Sequence, residues 1–283
     1  MESILLNNNI EIPQLGFGVF QITAQEQCRQ SVRNALETGY RLFDTAACYG
    51  NEGAVGEAIK QSGIDRKEIF LTSKVWIQDA GYERTIVSFE KTLHNLQMEY
   101  LDLYLIHMPY GDYYGSWRAM EELYEAGKIR ALGVYNFESD RLLDLILNHK
   151  VAPSVNQMEL HPFCQQKKLR LLMDEYNIKA MAWAPFAEGM EGIFEDKVLR
   201  TIGRQYGKTP AQVILRFLRQ EGIIAIPKSV HKERIEENYE IDDFRLSVSD
   251  MERIYQMDTG NSRILEIRSL EEVKRLHDIR FIQ

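Results

Sequence analysis

Short apolar runs alternate with amphipathic stretches along most of this sequence. The stretches carry apolar residues at helical spacing, as at 24–38, 84–96 and 140–148. The runs are too short for helices, and their near-continuous apolar character is typical of strands buried on both faces. Eight such strand candidates occur, at 16–20, 40–44, 69–73, 101–106, 129–134, 154–158, 179–183 and 223–227.

Eight strand–helix repeats predict an α/β protein built as a (β/α)8 TIM barrel. The length of 283 residues suits that fold, which typically takes about 250 residues. A doubly wound sheet is the alternative, but it would need a glycine-rich phosphate turn directly after its first strand. Gly16-Phe17-Gly18 lacks the third glycine and the helix that should follow at once. We therefore expect one barrel domain over residues 1–283.

Both ends of the sequence add elements to this barrel. Ile4–Leu6 and Ile10–Ile12 flank Asn7–Asn9, and asparagine tolerates the positive φ that a tight turn requires. This pattern predicts an N-terminal β-hairpin. After Gly260, the segment SLEEVKRLHDIRF has helical spacing and predicts extra C-terminal helices. The pattern does not say whether this tail covers a pocket.

Composition and charge narrow the possible partners. The formal net charge is −8 and both signs are mixed along the chain, so neither a nucleic acid nor a membrane surface is an expected partner. Met1-Glu2-Ser3 begins without a basic region or an apolar core, and no run approaches the ~20 apolar residues of a membrane span, so we expect neither secretion nor membrane insertion. Cys28, Cys48 and Cys164 have neither metal-binding nor disulfide spacing. We expect a cytoplasmic protein without a metal ion that binds a small molecule.

Polar residues stand where three of the predicted strands end. Asp44 ends the second run with Tyr49 five residues later, and Lys74 and His107 close the next two runs. TIM barrels carry their active sites at the carboxyl ends of the strands, so these four side chains should meet. Each has an ordinary explanation on its own, as a capping acid, a half-buried aromatic, a strand-end lysine or a structural imidazole. Their shared position favours catalysis over four separate coincidences.

Six motifs extend the comparison to a known family. They are FDTAACYGNE, LTSKVW, DLYLIHMP, GVYNF, VNQMELHP and IPKSVHKERIEEN. On these residues the chain resembles the aldo-keto reductase family, most of all its bacterial branch of 2,5-diketo-D-gluconate and glyoxal-type reductases. The resemblance implies a (β/α)8 barrel that binds NADPH, acts as a monomer and reduces aldehydes or ketones to alcohols.

In such a reduction the four strand-end residues would have distinct roles. Tyr49 would donate the proton to the carbonyl oxygen. The Lys74 ammonium beside it would lower the pKa of the phenol, which is ~10 in a free tyrosine. Asp44 would keep Lys74 charged and oriented. His107 would hydrogen-bond the substrate carbonyl, polarising it and orienting it toward the nicotinamide.

Cofactor binding is predicted on the eighth strand and the helix after it. Lys228 and Arg234 would flank a phosphate, because the loops after strands seven and eight of such barrels often hold one. The resemblance gives these two cations the 2′-phosphate of NADPH, includes Ser229 in the cofactor site, and brings Glu237 and Asn238 to the adenine. An ordinary charged helix surface is the alternative explanation.

The resemblance also locates the nicotinamide end of the cofactor. Asn136 and Gln157 match family positions that bind the carboxamide, and Trp183 matches the aromatic residue that stacks on the ring. Tyr135 departs from the family pattern, because most members have a small serine before the asparagine. A bulky phenol therefore replaces one expected hydrogen-bonding group, which bears on how tightly the cofactor binds.

The substrate pocket is predicted from side chains just beyond the strand ends. These are Phe20, Trp76, Met108 and the loop from Tyr110 to Ser116. Met108 stands where relatives frequently have tryptophan, and its flexible thioether softens that wall. Such a lining suits small apolar or mildly polar carbonyl compounds, although an apolar wall discriminates weakly between similar substrates.

Two other functions compete with the reductase interpretation. One is a cofactor-binding sensor or scaffold of the same fold with little or no turnover; the four strand-end residues argue against it, and Tyr135 slightly favours it. The other is a metal- or phosphate-using barrel lyase or isomerase, which would need clustered carboxylate or histidine ligands. For that role the sequence offers His107 and His161 without an acidic partner set.

Overall fold

The computed structural model describes residues 2–190 and 192–281. Its strands, β1 to β10 in chain order, are Ser3–Leu5, Glu11–Pro13, Phe17–Gly18, Leu42–Asp44, Phe70–Val75, Leu103–Ile106, Leu132–Tyr135, Val155–Glu159, Lys179–Trp183 and Ile224–Ala225. Its helices, α1 to α11, are Gln25–Thr38, Glu52–Gln61, Tyr82–Leu96, Tyr113–Glu125, Ser139–Asn148, Lys167–Glu175, Lys197–Tyr206, Pro210–Gln220, Lys232–Tyr239, Val248–Tyr255 and Leu270–Asp278.

Strands β3 to β10 form one parallel sheet in sequence order, and the sheet closes on itself. A bridge between Leu15 and Ala225 joins its first and last strands, and the Gly18 amide donates to the Pro227 carbonyl at 3.0 Å. A Cβ on Gly18 would lie 2.9 Å from the Ile226 side chain, so this close approach requires glycine. The predicted (β/α)8 barrel is confirmed.

The predicted elements agree closely with the observed ones. All eight predicted runs contain or overlap a barrel strand. The helices predicted at 24–38, 84–96 and 140–148 are confirmed as α1, α3 and α5, and the C-terminal helix as α11. The connection from β9 to β10 is longer than simple alternation predicts, because it contains two helices, α7 and α8.

Local sequence signals account for several helix ends. Helix α1 ends at Gly39, whose φ of 119° is readily adopted only by glycine. Helix α8 begins with Pro210 after Thr209, whose hydroxyl accepts from the Gln212 amide while the Gln212 side chain binds back to the Thr209 amide. Among the helices of the described residues, none has the length and apolar character needed to cross a membrane.

The predicted N-terminal hairpin is confirmed and packs against the barrel interior. Strands β1 and β2 are antiparallel, with Ile4 opposite Ile12, and Asn9 adopts a φ of 64° in the turn. Leu6 and Ile12 are buried in the same apolar cluster as the inward-facing side chains of the barrel strands. The hairpin thus closes the end of the barrel opposite the carboxyl ends of its strands.

Every second residue of a barrel strand faces inward, and this alternation positions the site. In β5, Phe70 belongs to the interior cluster, so Thr72 and Lys74 share its inward direction. Lys74 is in register with Leu105 of β6, which also belongs to that cluster. Extended to the carboxyl ends of β4 to β9, the same alternation brings inward the side chains of Asp44, Lys74, His107, Tyr135, Gln157 and Trp183.

Candidate active site

Lys74 and Asp44 form a buried ion pair at the carboxyl-end mouth of the barrel. Lys74 Nζ lies 2.7 Å from Asp44 Oδ2 and donates to the Thr45 carbonyl oxygen at 2.8 Å. The other carboxylate oxygen accepts from the Thr72 hydroxyl at 2.6 Å. The Lys74 side chain is 0% exposed, so its charge depends on these partners rather than on water. The pair holds the ammonium in one position.

Tyr49 packs directly beside this ion pair. It ends the 3-10 turn Ala47–Tyr49 that follows β4, and Lys74 Nζ lies 5.0 Å from the centre of its ring. The Phe20 ring packs on Tyr49 at a centroid distance of 4.9 Å, and the His107 imidazole meets it edge to face at 5.6 Å. The structure therefore brings the phenol, the ammonium and the imidazole into one cluster.

The pKa of Tyr49 differs from the sequence-based expectation. Burial raises it well above its ordinary value, and Tyr135, Asp44 and Cys48 add to the rise. The expected net fall of this pKa below its ordinary value is wrong, because the cost of burying a phenolate outweighs the attraction of the Lys74 ammonium, which is already paired with Asp44. The phenol therefore keeps its proton at neutral pH, as a proton donor must.

His107 follows β6 and is surrounded by aromatic rings and a thiol. The ring centroids of Trp76 and Tyr135 lie 4.9 Å and 4.8 Å from that of the imidazole, both edge to face. Its Nδ1 is 3.4 Å from Cys48 Sγ, a neighbour that the sequence analysis did not identify. Burial and the charge of Lys74 hold the pKa of His107 well below its ordinary value. The imidazole is therefore neutral at physiological pH.

The predicted nicotinamide residues lie together beside His107. The Trp183 indole N–H donates to Asn136 Oδ1 at 2.9 Å. Asn136 has a φ of 55°, in the left-handed region, which turns the chain as it leaves β7. The Tyr135 ring is parallel to that of Trp183, with an interplanar angle of 10° and a centroid distance of 5.8 Å. The bulky residue that replaces serine thus covers the indole.

Gln157 leaves a polar atom unpaired in the same wall. It lies opposite Tyr135 in the register of β7 and β8, and its side chain is buried. Its Oε1 has no hydrogen-bond partner among the described residues. An unpaired buried oxygen costs about 1–3 kcal/mol unless a ligand donates to it. A carboxamide N–H is such a donor, so Gln157 and Asn136 fit the amide of a nicotinamide cofactor.

The predicted phosphate-binding cations follow the last strand, Lys228 in the loop after β10 and Arg234 in helix α9. Lys228 and Arg234 are exposed, and neither forms an ion pair within the described part of the chain. Ser229 Oγ accepts from the His231 amide at 3.1 Å at the start of α9. Free cations beside a helix start favour an anionic ligand, which fits the phosphate of NADPH.

Glu237 and Asn238, the predicted adenine residues, already have structural surroundings. The Glu237 carboxylate accepts from the Thr209 hydroxyl at 2.7 Å, which connects α9 to the start of α8. Asn238 is buried on the inner face of α9. An adenine contact from Glu237 would therefore share the carboxylate with Thr209, a contact that the local sequence did not reveal.

The predicted substrate residues differ in how deeply they are buried around the Tyr49 and His107 cluster. Trp76 is buried against His107, whereas Phe20 remains 48% exposed and lies at the entrance beside Tyr49. Met108 is buried, and its sulfur accepts from Asn136 Nδ2 at 3.9 Å. Trp76 and Met108 therefore form two apolar walls beside the Tyr49 phenol, and the exposed Phe20 ring forms its open side.

The segment from Tyr110 to Ser116 contributes to this wall at its first residue. Tyr110 is buried, and its hydroxyl donates to the Ile267 carbonyl of the C-terminal tail. Asp112 caps α4 by accepting from the Gly115 amide at 2.8 Å, so the helix begins within the predicted loop. Ser116 packs between helices, where its hydroxyl accepts from the amide that precedes α3.

The C-terminal tail covers one side of the mouth, which answers a question that the sequence left open. The Trp76 indole N–H donates to the Ile279 carbonyl at 3.3 Å, and the Gln78 amide donates to the Phe281 carbonyl at 3.2 Å. Leu276 of α11 is buried in the same apolar cluster as Trp76. The tail is therefore part of the pocket wall.

Glu159 anchors the start of this tail and was missed by the sequence analysis. Its carboxylate accepts from the Ser262 hydroxyl at 2.5 Å, from the Arg263 amide at 2.7 Å and from His161 Nε2 at 2.9 Å. Burial alone would raise the pKa of Glu159, but these hydrogen bonds together hold it below its ordinary value. The sequence did offer one signal: Glu159 follows Gln157 by two residues in the same strand, so both side chains face inward.

A metal-using barrel finds no support at this mouth. Within residues 2–190 and 192–281, no group of three or more histidine, cysteine or acidic residues could hold a metal ion. His161 does have an acidic partner, contrary to expectation, but Glu159 already binds the tail. The pair is a structural contact.

Fold and site together define a class of protein. A closed (β/α)8 barrel with ionisable side chains gathered at the carboxyl ends of its strands is the architecture of barrel enzymes. The sequence profile of the Aldo/keto reductase family matches residues 14–259, and the chain belongs to this family of oxidoreductases. The resemblance inferred from the six motifs is confirmed.

Individual relatives extend this agreement over nearly the whole chain. The Glyoxal reductase of Bacillus subtilis (strain 168) is 46% identical over 254 residues, which cover 89% of this chain and 91% of that protein. An aldo-keto reductase from a Medee basin deep-sea metagenome library superimposes with a TM-score of 0.92 at 40% identity, covering 95% of this chain and 99% of that one. An aldo-keto reductase of Bombyx mori, solved in complex with NADP, has a TM-score of 0.88 at 31% identity, with coverages of 94% and 95%.

Proposed function

We propose that this enzyme uses NADPH to reduce aldehydes or ketones to alcohols, and that small aldehydes are its best substrates. The observation that carries the proposal is the fully buried Lys74 ammonium, held by Asp44 at 2.7 Å and lying 5.0 Å from the ring centre of Tyr49. A buried charge beside a phenol in a cleft is costly, and such arrangements concentrate at functional sites. The names of the relatives support this, since one is a glyoxal reductase and another holds NADP.

NADPH fits the side chains that the barrel offers. Gln157 and Asn136 would bind its carboxamide, and Trp183 would stack on its nicotinamide ring. Lys228 and Arg234 would bind its 2′-phosphate, because both are exposed cations without ion-pair partners among the described residues. NADPH supplies the hydride that the carbonyl carbon receives.

Tyr49 supplies the proton. Burial keeps its phenol protonated, so the acid is ready before the substrate arrives. As negative charge develops on the carbonyl oxygen, the proton moves to that oxygen from Tyr49 Oη. The Lys74 ammonium then stabilises the phenolate that remains. Its hydrogen bonds to Asp44 and Thr45 keep the ammonium from moving away during this step.

His107 orients the carbonyl as a neutral donor. Burial raises the pKa of the Cys48 thiol to about 12, so the thiol keeps a hydrogen, and in the proposed tautomer it donates that hydrogen to His107 Nδ1, which lies 3.4 Å from the sulfur. The imidazole hydrogen is then on Nε2, which donates to the carbonyl oxygen. Because the pKa of His107 lies well below its ordinary value, the ring does not replace Tyr49 as the acid.

The walls favour compact substrates. Trp76 and Met108 are buried on two sides of the cluster, and the tail adds the buried Leu276 on a third. A carbonyl compound must reach Tyr49 between these side chains. We therefore infer small aldehydes, including α-dicarbonyl compounds such as glyoxal, as the preferred class.

A spectrophotometric assay tests this proposal. The purified protein should oxidise NADPH when glyoxal, methylglyoxal or a small aromatic aldehyde is added. The competing function, a cofactor sensor or scaffold, predicts NADPH binding without oxidation. Calorimetric titration with NADPH should accompany the assay, and binding without turnover across the aldehyde panel would contradict the reductase.

Arg234→Ala should weaken NADPH binding far more than NADH binding, because NADPH alone carries the 2′-phosphate. A charge-assisted hydrogen bond contributes about 1.5–3 kcal/mol, which corresponds to roughly 10- to 100-fold in Kd. Titration of both cofactors measures the effect. Lys232→Ala is the matched control. Lys232 is also an exposed cation of α9, but its Nζ lies 3.6 Å from Glu37 Oε2 and is thus already paired. Equal losses for NADPH and NADH would remove the reason for preferring NADPH.

A further inference from the structure

Tyr135 ends β7 at the mouth of the barrel, next to His107 and Trp183. A Cβ on Gly133, two residues earlier in β7, would meet Leu103 and Leu105 of the interior cluster, so Tyr135 points inward as well. The residue is only 7% exposed. Its ring centroid is 4.8 Å from that of His107, and Lys74 Nζ lies 6.0 Å from it. A second phenol thus occupies the space between the proton donor cluster and Trp183.

The Tyr135 ring contacts His107 and Trp183 in two different geometries. Against the imidazole it is edge to face at 77°, whereas against the indole it is parallel within 10°. A parallel, offset arrangement is one that an aromatic ligand adopts on an indole. The Trp183 N–H is bonded to Asn136, the residue next to Tyr135. The ring therefore lies on the indole, beside the amide side chains that the proposed function assigns to the nicotinamide.

We propose that Tyr135 competes with the nicotinamide ring for Trp183 and thereby weakens NADPH binding. This inference rests on the proposed function. The ring must leave the indole before a nicotinamide stacks there, and the stacking energy lost in that movement is subtracted from the affinity. Lys228 and Arg234, which would bind the 2′-phosphate at the adenine end of the cofactor, are not among the ring contacts of Tyr135, so the contribution of that end should be unaffected. Tyr135 acts on the nicotinamide half alone.

Removal of the ring tests the competition. Tyr135→Ser should lower the Kd for NADPH by about tenfold, since an aromatic pair contributes up to ~1.5 kcal/mol. Adenosine 2′,5′-bisphosphate carries the adenine and the 2′-phosphate without a nicotinamide. Its Kd should be the same for wild type and variant. Isothermal titration calorimetry measures both ligands.

Two further variants separate the ring from other effects. Tyr135→Phe keeps the aromatic face and should bind NADPH like wild type. Tyr135→Leu fills the interior without a flat ring, so it protects the test against a folding defect caused by serine, and it should also tighten NADPH binding. Tightening by phenylalanine equal to that by leucine would assign the effect to the hydroxyl group and overturn the competition.

The outcomes distinguish this inference from the proposed function. NADPH binding and aldehyde reduction by wild type, with no tightening in the leucine variant, would overturn the competition alone, because tightening by serine without leucine would assign the effect to a restored hydrogen bond. Equal tightening of NADPH and adenosine 2′,5′-bisphosphate would also overturn it, because the effect would then not depend on the nicotinamide. Failure of wild type to bind NADPH at all would overturn both.

Discussion

Tyr49→Phe is expected to lower kcat for aldehyde reduction by roughly 10³-fold, within the range that general acid catalysis contributes. The variant loses only the hydroxyl oxygen, and the phenyl ring keeps its packing on Phe20 and its edge contact with His107. NADPH binding should therefore be unchanged. Steady-state NADPH oxidation and calorimetric titration measure the two quantities separately.

The control for this variant is a tyrosine outside the site. Tyr82 lies on α3, where its hydroxyl donates to Glu122 at 2.5 Å on the surface. Tyr82→Phe should keep the wild-type kcat. If Tyr49→Phe retained kcat within a few-fold of wild type, the proton would have to come from another group, such as Tyr135, whose ring centre lies 6.0 Å from Lys74 Nζ.

Lys74→Met is expected to reduce kcat by about 10²- to 10⁴-fold and to destabilise the fold as well. The phenolate of Tyr49 loses the cation that stabilises it in the proposed mechanism. The buried Asp44 carboxylate loses its partner, and breaking such a pair costs about 3–5 kcal/mol of unfolding free energy. Steady-state kinetics and urea denaturation report the two losses.

A double variant separates these two losses. Lys74→Met with Asp44→Asn removes the unpaired charge, and the asparagine keeps an oxygen for the Thr72 hydroxyl. This variant should recover most of the unfolding free energy while kcat stays near the level of Lys74→Met. Recovery of both would mean that the ion pair serves only stability, and the proposed mechanism would then fail.

The barrel could be predicted because its pattern repeats eight times. Near-continuous apolar runs indicate strands covered on both faces, and a local misjudgement of one boundary does not change the topology. Asp44, Lys74 and His107 were also accessible from the sequence, since each stands at a strand end. Parallel strands bring those ends to one face of the barrel, so residues that end successive strands become neighbours in space.

The remaining features depend on contacts that no local pattern encodes. The pKa of Tyr49 is set by burial from several elements at once, which reverses the effect expected from Lys74 alone. Cys48 approaches His107 across 59 sequence positions, and Glu159 meets Ser262 across 103. These side chains come from separate loops and strands, and their partners follow from the closed barrel and the path of the tail.

The tail reaches the mouth through its main chain. Its acceptors for Trp76 and Gln78 are the backbone oxygens of Ile279 and Phe281, and every amino acid carries such an oxygen. Substitutions at these two positions therefore keep both hydrogen bonds but change the side chains that pack on the Trp76 cluster, and with them the shape of the pocket wall. The shape of this wall therefore depends on tail side chains that are separate from the groups proposed to react.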